Sequence, residues 1–112
     1  MYRGSFRGGG GGNAGVVNVI SIDSTDSPYS LTASPVALLV DSTGGVVNVN
    51  LPVPSSSEGM MFYIKNTAGA TSNRVRVLVS SGRIDDETYI DLENDLSAVT
   101  LVSDGTNYYI IS

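Results

Sequence analysis

The chain has 112 residues and a net charge of −5, and it contains no cysteine, histidine or tryptophan. Without cysteine there is no disulfide or thiolate chemistry, and without histidine the commonest near-neutral acid–base group and metal ligand is missing. A monomer of this size buries only about two-thirds of the surface that its unfolded chain exposes, so we expect a partner subunit to contribute stability. We predict no enzymatic activity and no cofactor.

Charge is distributed unevenly along the sequence. Arg3 and Arg7 are the only charged residues before Asp23, which leaves a net charge of −7 for the rest of the chain. We expect no nucleic-acid partner for this acidic body, because neutralising phosphates needs clustered cations. We expect no membrane partner either, since no apolar run is long enough to cross a bilayer and no signal segment follows Met1.

Residues 1–15, here called the N-terminal arm, differ from the rest of the chain. Their five consecutive glycines exclude a packed core, because glycine loses the most backbone entropy on ordering. We expect an extended arm whose aromatic side chains anchor in a partner while its arginines pair with carboxylates. A nucleic-acid-binding arginine–glycine segment and an inert leader are the alternatives. The predicted contact residues are Tyr2, Arg3, Phe6, Arg7, Gly8, Gly9, Gly10, Gly11 and Gly12.

Residues 16–112 are predicted to form an all-β body. Short stretches rich in valine, isoleucine, leucine and tyrosine alternate with turn residues about every ten positions, which is typical of a sandwich, barrel or prism. We expect a compact sandwich-like or prism-like body of about eight short antiparallel strands. The predicted strands are Val16–Asp23, Val36–Val40, Val46–Leu51, Met60–Lys65, Arg74–Val79, Thr88–Leu92, Ala98–Ser103 and Tyr108–Ile111.

Three of these predicted strands are apolar on both faces. They are Val36–Val40, the first part of Met60–Lys65, and Tyr108–Ile111. One small core can cover only one face of each strand, so a second buried face indicates a neighbouring subunit.

The order of blocks from residue 29 onward resembles a β-module of tailed-bacteriophage virion proteins. Two positions depart from the pattern: Tyr108 stands where the module often has tryptophan, and Gly82–Glu87 replaces a Gly-Asp-Thr-Ile-Asp-Gly-like turn. The blocks that carry the resemblance are Tyr29–Ser34, Leu38–Gly45, Val47–Pro52, Gly59–Asn66 and Ala98–Ile111.

The resemblance implies a trimeric structural protein of the virion. The short arm before the module favours a complete small capsid decoration, or cement, protein that binds the phage major capsid protein as a homotrimer. Such a protein would be made in the host cytoplasm and end on the capsid surface. The alternative is a tail-fibre or head-fibre module that binds host glycans. The expected core or subunit-interface residues are Phe62, Ile64, Leu101, Tyr108, Tyr109 and Ile110.

Two further clusters have competing interpretations. Six of the eleven acidic residues lie between Asp85 and Asp95, which suits either a calcium site or a solvated edge that discourages aggregation. Paired carboxylates also occur in glycosidases, but we expect no catalysis. Tyr63, Tyr108 and Tyr109 could present rings to a sugar, or pack in the core or subunit interface.

Overall fold

A computed structural model describes residues 17–32, 36–69, 72–93 and 96–112. These ranges form nine strands in two mixed sheets and include two short 3₁₀ turns, Ser24–Asp26 and Pro54–Ser56. The prediction of an all-β body is confirmed. The strands are β1 (Asn18–Asp23), β2 (Tyr29–Ser30), β3 (Val36–Asp41), β4 (Val47–Asn50), β5 (Met61–Asn66), β6 (Val75–Leu78), β7 (Tyr89–Leu92), β8 (Ala98–Ser103) and β9 (Tyr108–Ile110).

The chain alternates between the two sheets over its first six strands. The five-stranded sheet has the order β1-β3-β5-β8-β9, and the four-stranded sheet has the order β2-β4-β6-β7. Each successive pair of strands, β1 with β2, β3 with β4 and β5 with β6, therefore forms one coil with a strand in each sheet. Stacked coils place neighbouring strands about 4.8 Å apart. The antiparallel pairings all involve the last three strands: β7 pairs with β6, β8 with β5, and β9 with β8.

The prediction of an antiparallel body was wrong for most of the strand pairs. Four of the seven pairings between described strands are parallel, and three are antiparallel. The turn at Asp41–Gly45 leads from β3 to β4, which lie in different sheets, so it does not form a hairpin. In the five-stranded sheet only β8 and β9 are both neighbours in sequence and paired with one another, and they form an antiparallel hairpin. The strand β2 was not predicted, since two residues are too few to show alternation.

The core is one layer of aliphatic side chains between the two sheets. In the five-stranded sheet Val36 pairs with Phe62, and Leu38 pairs with Ile64, so that like faces stack in register. In the four-stranded sheet β4 and β6 are paired in the same way. Each fully buried side chain of this size contributes about 1.5–3 kcal/mol. The completely buried aliphatic residues include Val36, Leu38, Val40, Val47, Val49, Val75, Val77 and Leu101.

A buried polar network ties the two sheets together at one end of the core. Asn66, the last residue of β5, is fully buried, and its Nδ2 donates to the backbone oxygens of Asn73 (3.0 Å) and Leu92 (3.3 Å). Its Oδ1 accepts from Ser42 Oγ at 2.9 Å. Ser42 Oγ also accepts from the Asn73 amide at 3.0 Å. Asn66 lies in the five-stranded sheet, and its side chain satisfies backbone oxygens just before β6 and at the end of β7 in the four-stranded sheet, where unpaired polar atoms would be costly.

Tyr108 closes the other end of the core. It is completely buried, and its hydroxyl donates to the Pro52 carbonyl at 2.7 Å and lies 2.8 Å from Ser57 Oγ. Burial raises the pKa of its phenol, partly offset by the hydrogen bond with Ser57. Its backbone is bridged in parallel to the fully buried Ile84. The hairpin edge at β9 is therefore covered by the segment around residue 84.

The turn after Ile84 has an unusual backbone. Ile84 and Glu87 exchange two backbone hydrogen bonds of 2.7 and 2.8 Å, while Asp85 and Asp86 have φ angles of 46° and 74°. Two successive positive φ angles define a type I′ turn, which usually carries asparagine and glycine. Asp85 gains a compensating contact, since its Oδ1 accepts from the Ile110 amide at 3.3 Å.

We predict that Asn66→Ala lowers the free energy of unfolding by about 2–3 kcal/mol, because it leaves several buried backbone groups without their partner. Asn48→Ala is the matched control, since Asn48 is half-buried on an outward face, and we expect a change below about 0.5 kcal/mol. Urea unfolding at a fixed protein concentration measures both. Equal losses in the two variants would contradict the structural role assigned to Asn66.

Candidate interaction surface

The outward surface of the five-stranded sheet is largely apolar. We call it the apolar face. Strand register brings its members together: Val19 pairs with Ala37, Ala37 with Tyr63, and Val102 with Tyr109. Several of these side chains are substantially exposed, with 63% of Val19 and 42% of Tyr109 accessible. The apolar face comprises Val19, Ala37, Leu39, Met61, Tyr63, Val102, Tyr109 and Ile111, which follows β9.

The apolar face arises from the strands that the sequence showed to be apolar on both sides. All three of them, β3, β5 and β9, belong to the five-stranded sheet. Their inward residues fill the core, and their outward residues meet on a single surface. The fold thus concentrates the second apolar sides of these strands instead of distributing them around the body.

The charged residues of this sheet lie toward one end. Lys65 pairs with Leu39, and its Nζ donates to the Leu96 carbonyl at 2.9 Å. Asp23 and Asp41 are neighbours at the ends of β1 and β3. Hydrogen bonds from Thr25 lower the pKa of Asp23, and those from Thr43 lower the pKa of Asp41.

The outward surface of the four-stranded sheet, which we call the polar face, is different. Arg76 donates through Nε and Nη2 to the two carboxylate oxygens of Asp91, at 2.8 and 3.0 Å. Its guanidinium also lies 3.8 Å from the centre of the Tyr89 ring, so it partly covers that aromatic side chain. The polar face comprises Ser30, Asn48, Asn50, Arg76, Leu78, Tyr89 and Asp91.

The expected core or interface residues divide into two groups. Phe62, Ile64, Leu101 and Tyr108 are buried within the single chain, and the rings of Phe62 and Tyr108 lie 6.3 Å apart. Tyr109 and Ile110, by contrast, are 42% and 38% exposed.

The predicted contact residues of the N-terminal arm lie outside the described residues. This holds for Tyr2, Arg3, Phe6, Arg7 and the glycines 8–12, and the predicted domain boundary at residue 15 lies there as well.

The acidic segment is split between a turn and a strand. Asp85, Asp86 and Glu87 are exposed in the turn after Ile84, whereas Asp91 lies in β7 and is bound by Arg76. Asp95 lies outside the described residues. Within the ranges that the structure describes, no three histidine, cysteine, aspartate or glutamate side chains are grouped closely enough to hold a metal ion.

The pKa of Asp91 is held below its usual value, chiefly by the hydrogen bonds from Arg76. Arg74 adds a weaker attraction, with its Nε 4.0 Å from the carboxylate. A lowered pKa keeps this carboxylate ionised, which suits an ion pair and does not suit a general acid. Asp91 is therefore best explained as the partner of Arg76 on the polar face.

A scan against models of protein families found no match, and a search of curated proteins found none either. In the described part of the chain, no helix has the length and apolar character needed to span a membrane.

The sequence did not identify the outward positions of β1 and β3. Val19 and Ile20 are adjacent in β1 and therefore point to opposite faces of the sheet. Both are aliphatic, so the local sequence does not show which of them faces the core. The signal that existed was the two-sided apolar character of β3. It indicated a neighbour but could not show that β1, β3, β5 and β9 share one sheet.

We predict that Asp91→Asn reduces the dependence of stability on pH in the acidic range. The folded-state pKa of Asp91 is lowered, so its ionised form stabilises the fold above the unfolded-state pKa. This contribution is lost as the pH falls below about 4 and through the folded-state pKa. The difference in unfolding free energy between wild type and Asp91→Asn should therefore shrink over that range.

Urea unfolding between pH 7 and pH 3 measures this difference. Glu87→Gln is the control, because it removes the same charge from an exposed turn. A constant difference between wild type and Asp91→Asn across the whole range would contradict the assigned ion pair.

Proposed function

We propose that this protein is a bacteriophage capsid decoration, or cement, protein that binds the major capsid protein lattice as a homotrimer and stabilises the head. The observation that carries the proposal is the apolar face, on which Val19, Tyr109 and Ile111 are exposed while the opposite sheet is polar. A small β-body with one such face is suited to assembly with copies of itself. The resemblance of residues 29–112 to phage virion modules supports the assignment to a phage capsid.

The proposed mechanism combines assembly with the N-terminal arm. Tyr2 and Phe6 act as apolar anchors on the capsid, and Arg3 and Arg7 pair with its carboxylates. Each arm alone binds weakly, but three arms on one trimer act together through their high effective concentration. Binding across capsomer junctions then opposes the pressure of packaged DNA without chemistry or a cofactor.

We predict that deleting residues 2–12 abolishes co-sedimentation with expanded phage shells and leaves the body folded. The reason is that the deletion removes all four anchoring side chains, Tyr2, Arg3, Phe6 and Arg7, but none of the described strands. Circular dichroism and the unfolding midpoint measure the fold, and pelleting with shells measures binding.

A second variant separates the length of the arm from its chemistry. Replacing Tyr2, Arg3, Phe6 and Arg7 with serine keeps the length and the glycines, and we expect it to lose binding as the deletion does. Undiminished capsid occupancy of both variants would overturn the proposed role of the arm. Wild-type protein that does not bind shells would overturn the cement function as a whole.

A fibre module that binds host surface glycans is the second candidate. Tyr63 and Tyr109 both lie on the apolar face, where aromatic rings can stack on sugars. Tyr108 is fully buried and cannot contribute to such a surface. Under this alternative, Tyr109→Ala weakens binding to cell-surface polysaccharide, whereas the cement proposal expects no glycan selectivity in a binding assay.

A further inference from the structure

We infer that copies of this chain associate directly through the apolar face, so that the outward surface of the five-stranded sheet is the subunit interface. This inference rests on the self-association in the proposed function and specifies which surface produces it. Its occupant is a second copy of this chain.

The apolar face extends from one edge of its sheet to the other, along a row in which the buried Thr100 is the one polar side chain. Val19 on the edge strand β1 pairs with Ala37, which pairs with Tyr63, which in turn pairs with Thr100. The amide of Ile111 donates to the Thr100 carbonyl at 3.0 Å and completes this row. The two ends of the row are also exposed, at 63% for Val19 and 53% for Ile111.

Charge favours a second copy as the occupant. The chain is acidic overall, with eleven carboxylates against six cations, so two copies repel one another over most of their surface. The row from Val19 to Ile111 and the neighbouring pair Val102 and Tyr109 carry no charged residue. This surface is therefore where two acidic bodies can meet without bringing carboxylates together.

The polar face shows that this character is not common to both sheets. There the central position is occupied by the Arg76–Asp91 ion pair, and the guanidinium lies over the ring of Tyr89. A solvated surface tolerates such groups at no cost, whereas an interface core is depleted of charge. The two outward faces thus match the two environments expected for an assembled subunit.

The size of the face sets the expected strength. Four strands of six residues, each about 20 Å long, and the three-residue β9, about 10 Å long, lie about 4.8 Å apart and present on the order of 450 Å². Two copies would bury about 900 Å², which is below the 1,200–2,000 Å² of standard specific interfaces. We therefore expect association through this face to depend on protein concentration in the micromolar range.

The test measures mass by light scattering over a range of concentrations. Val19→Glu with Ile111→Glu places a carboxylate at each end of the uncharged row. Ser30→Glu with Thr88→Glu is the matched control, because it adds the same charge at exposed positions on or beside the polar face. We expect the wild type and the control to assemble at similar protein concentrations. For Val19→Glu/Ile111→Glu, the concentration at which half of the protein is assembled should be at least tenfold higher.

The outcomes separate this inference from the proposed function. A folded Val19→Glu/Ile111→Glu variant that assembles like wild type overturns the inference, as does a wild type that is monomeric at all concentrations. If the glutamates prevent folding, Val19→Ser with Ile111→Ser must still raise the midpoint concentration, or the inference fails. Assembly through this face without binding to shells would support the interface and overturn the cement function.

Discussion

The structure depends on the burial of one thin aliphatic layer between two sheets that the chain visits in turn. Val36 and Leu38 in one sheet, and Val47 and Val49 in the other, are completely enclosed although each belongs to a short strand. No strand supplies both walls of this layer, so each coil is stable only when its neighbours are in place. The single-layer core explains why buried polar side chains are found at its ends. There Asn66 and Tyr108 donate to backbone carbonyls that have no partner within the sheets.

This architecture also limits what one chain can bury. The inward side of every strand in the five-stranded sheet is used by the core, and a single additional layer would be needed to cover the outward side. The four-stranded sheet solves the same problem with polar residues and the Arg76–Asp91 pair. The five-stranded sheet carries valine, leucine and tyrosine instead, which is why we propose that this side is covered by a second copy of the chain. In the proposed function the N-terminal arm binds the capsid, and this contact is separate from the contacts between copies of the body.

Local pattern revealed the elements but not their arrangement. Eight of the strands were predicted to within about two residues, because alternation and turn residues are properties of neighbouring positions. Parallel pairing was missed because it depends on long connections of unequal length. Asn18 aligns with Val36 after 18 residues, but Val36 aligns with Phe62 after 26. The repeated Val-Val-Asn-Val at residues 16–19 and 46–49 has a period of 30, which matches neither, and Asn18 and Asn48 lie in different sheets. For the same reason the sequence indicated that some strands have two apolar faces, but it did not show that these strands lie in the same sheet.

The edge strands at the two ends of the five-stranded sheet differ in how they are covered. At the carboxyl-terminal end the bridge between Tyr108 and Ile84 covers the edge of the five-stranded sheet, while β7 at the edge of the other sheet pairs only with β6 among the described strands. At the other end, the described residues pair β1 only with β3 and β2 only with β4. An additional coil could therefore be added at the amino-terminal side by the same parallel pairing, whereas at the carboxyl-terminal side the segment around Ile84 would have to move away from β9. Evolution or engineering could therefore lengthen this fold more easily at its amino-terminal side than at its carboxyl-terminal side.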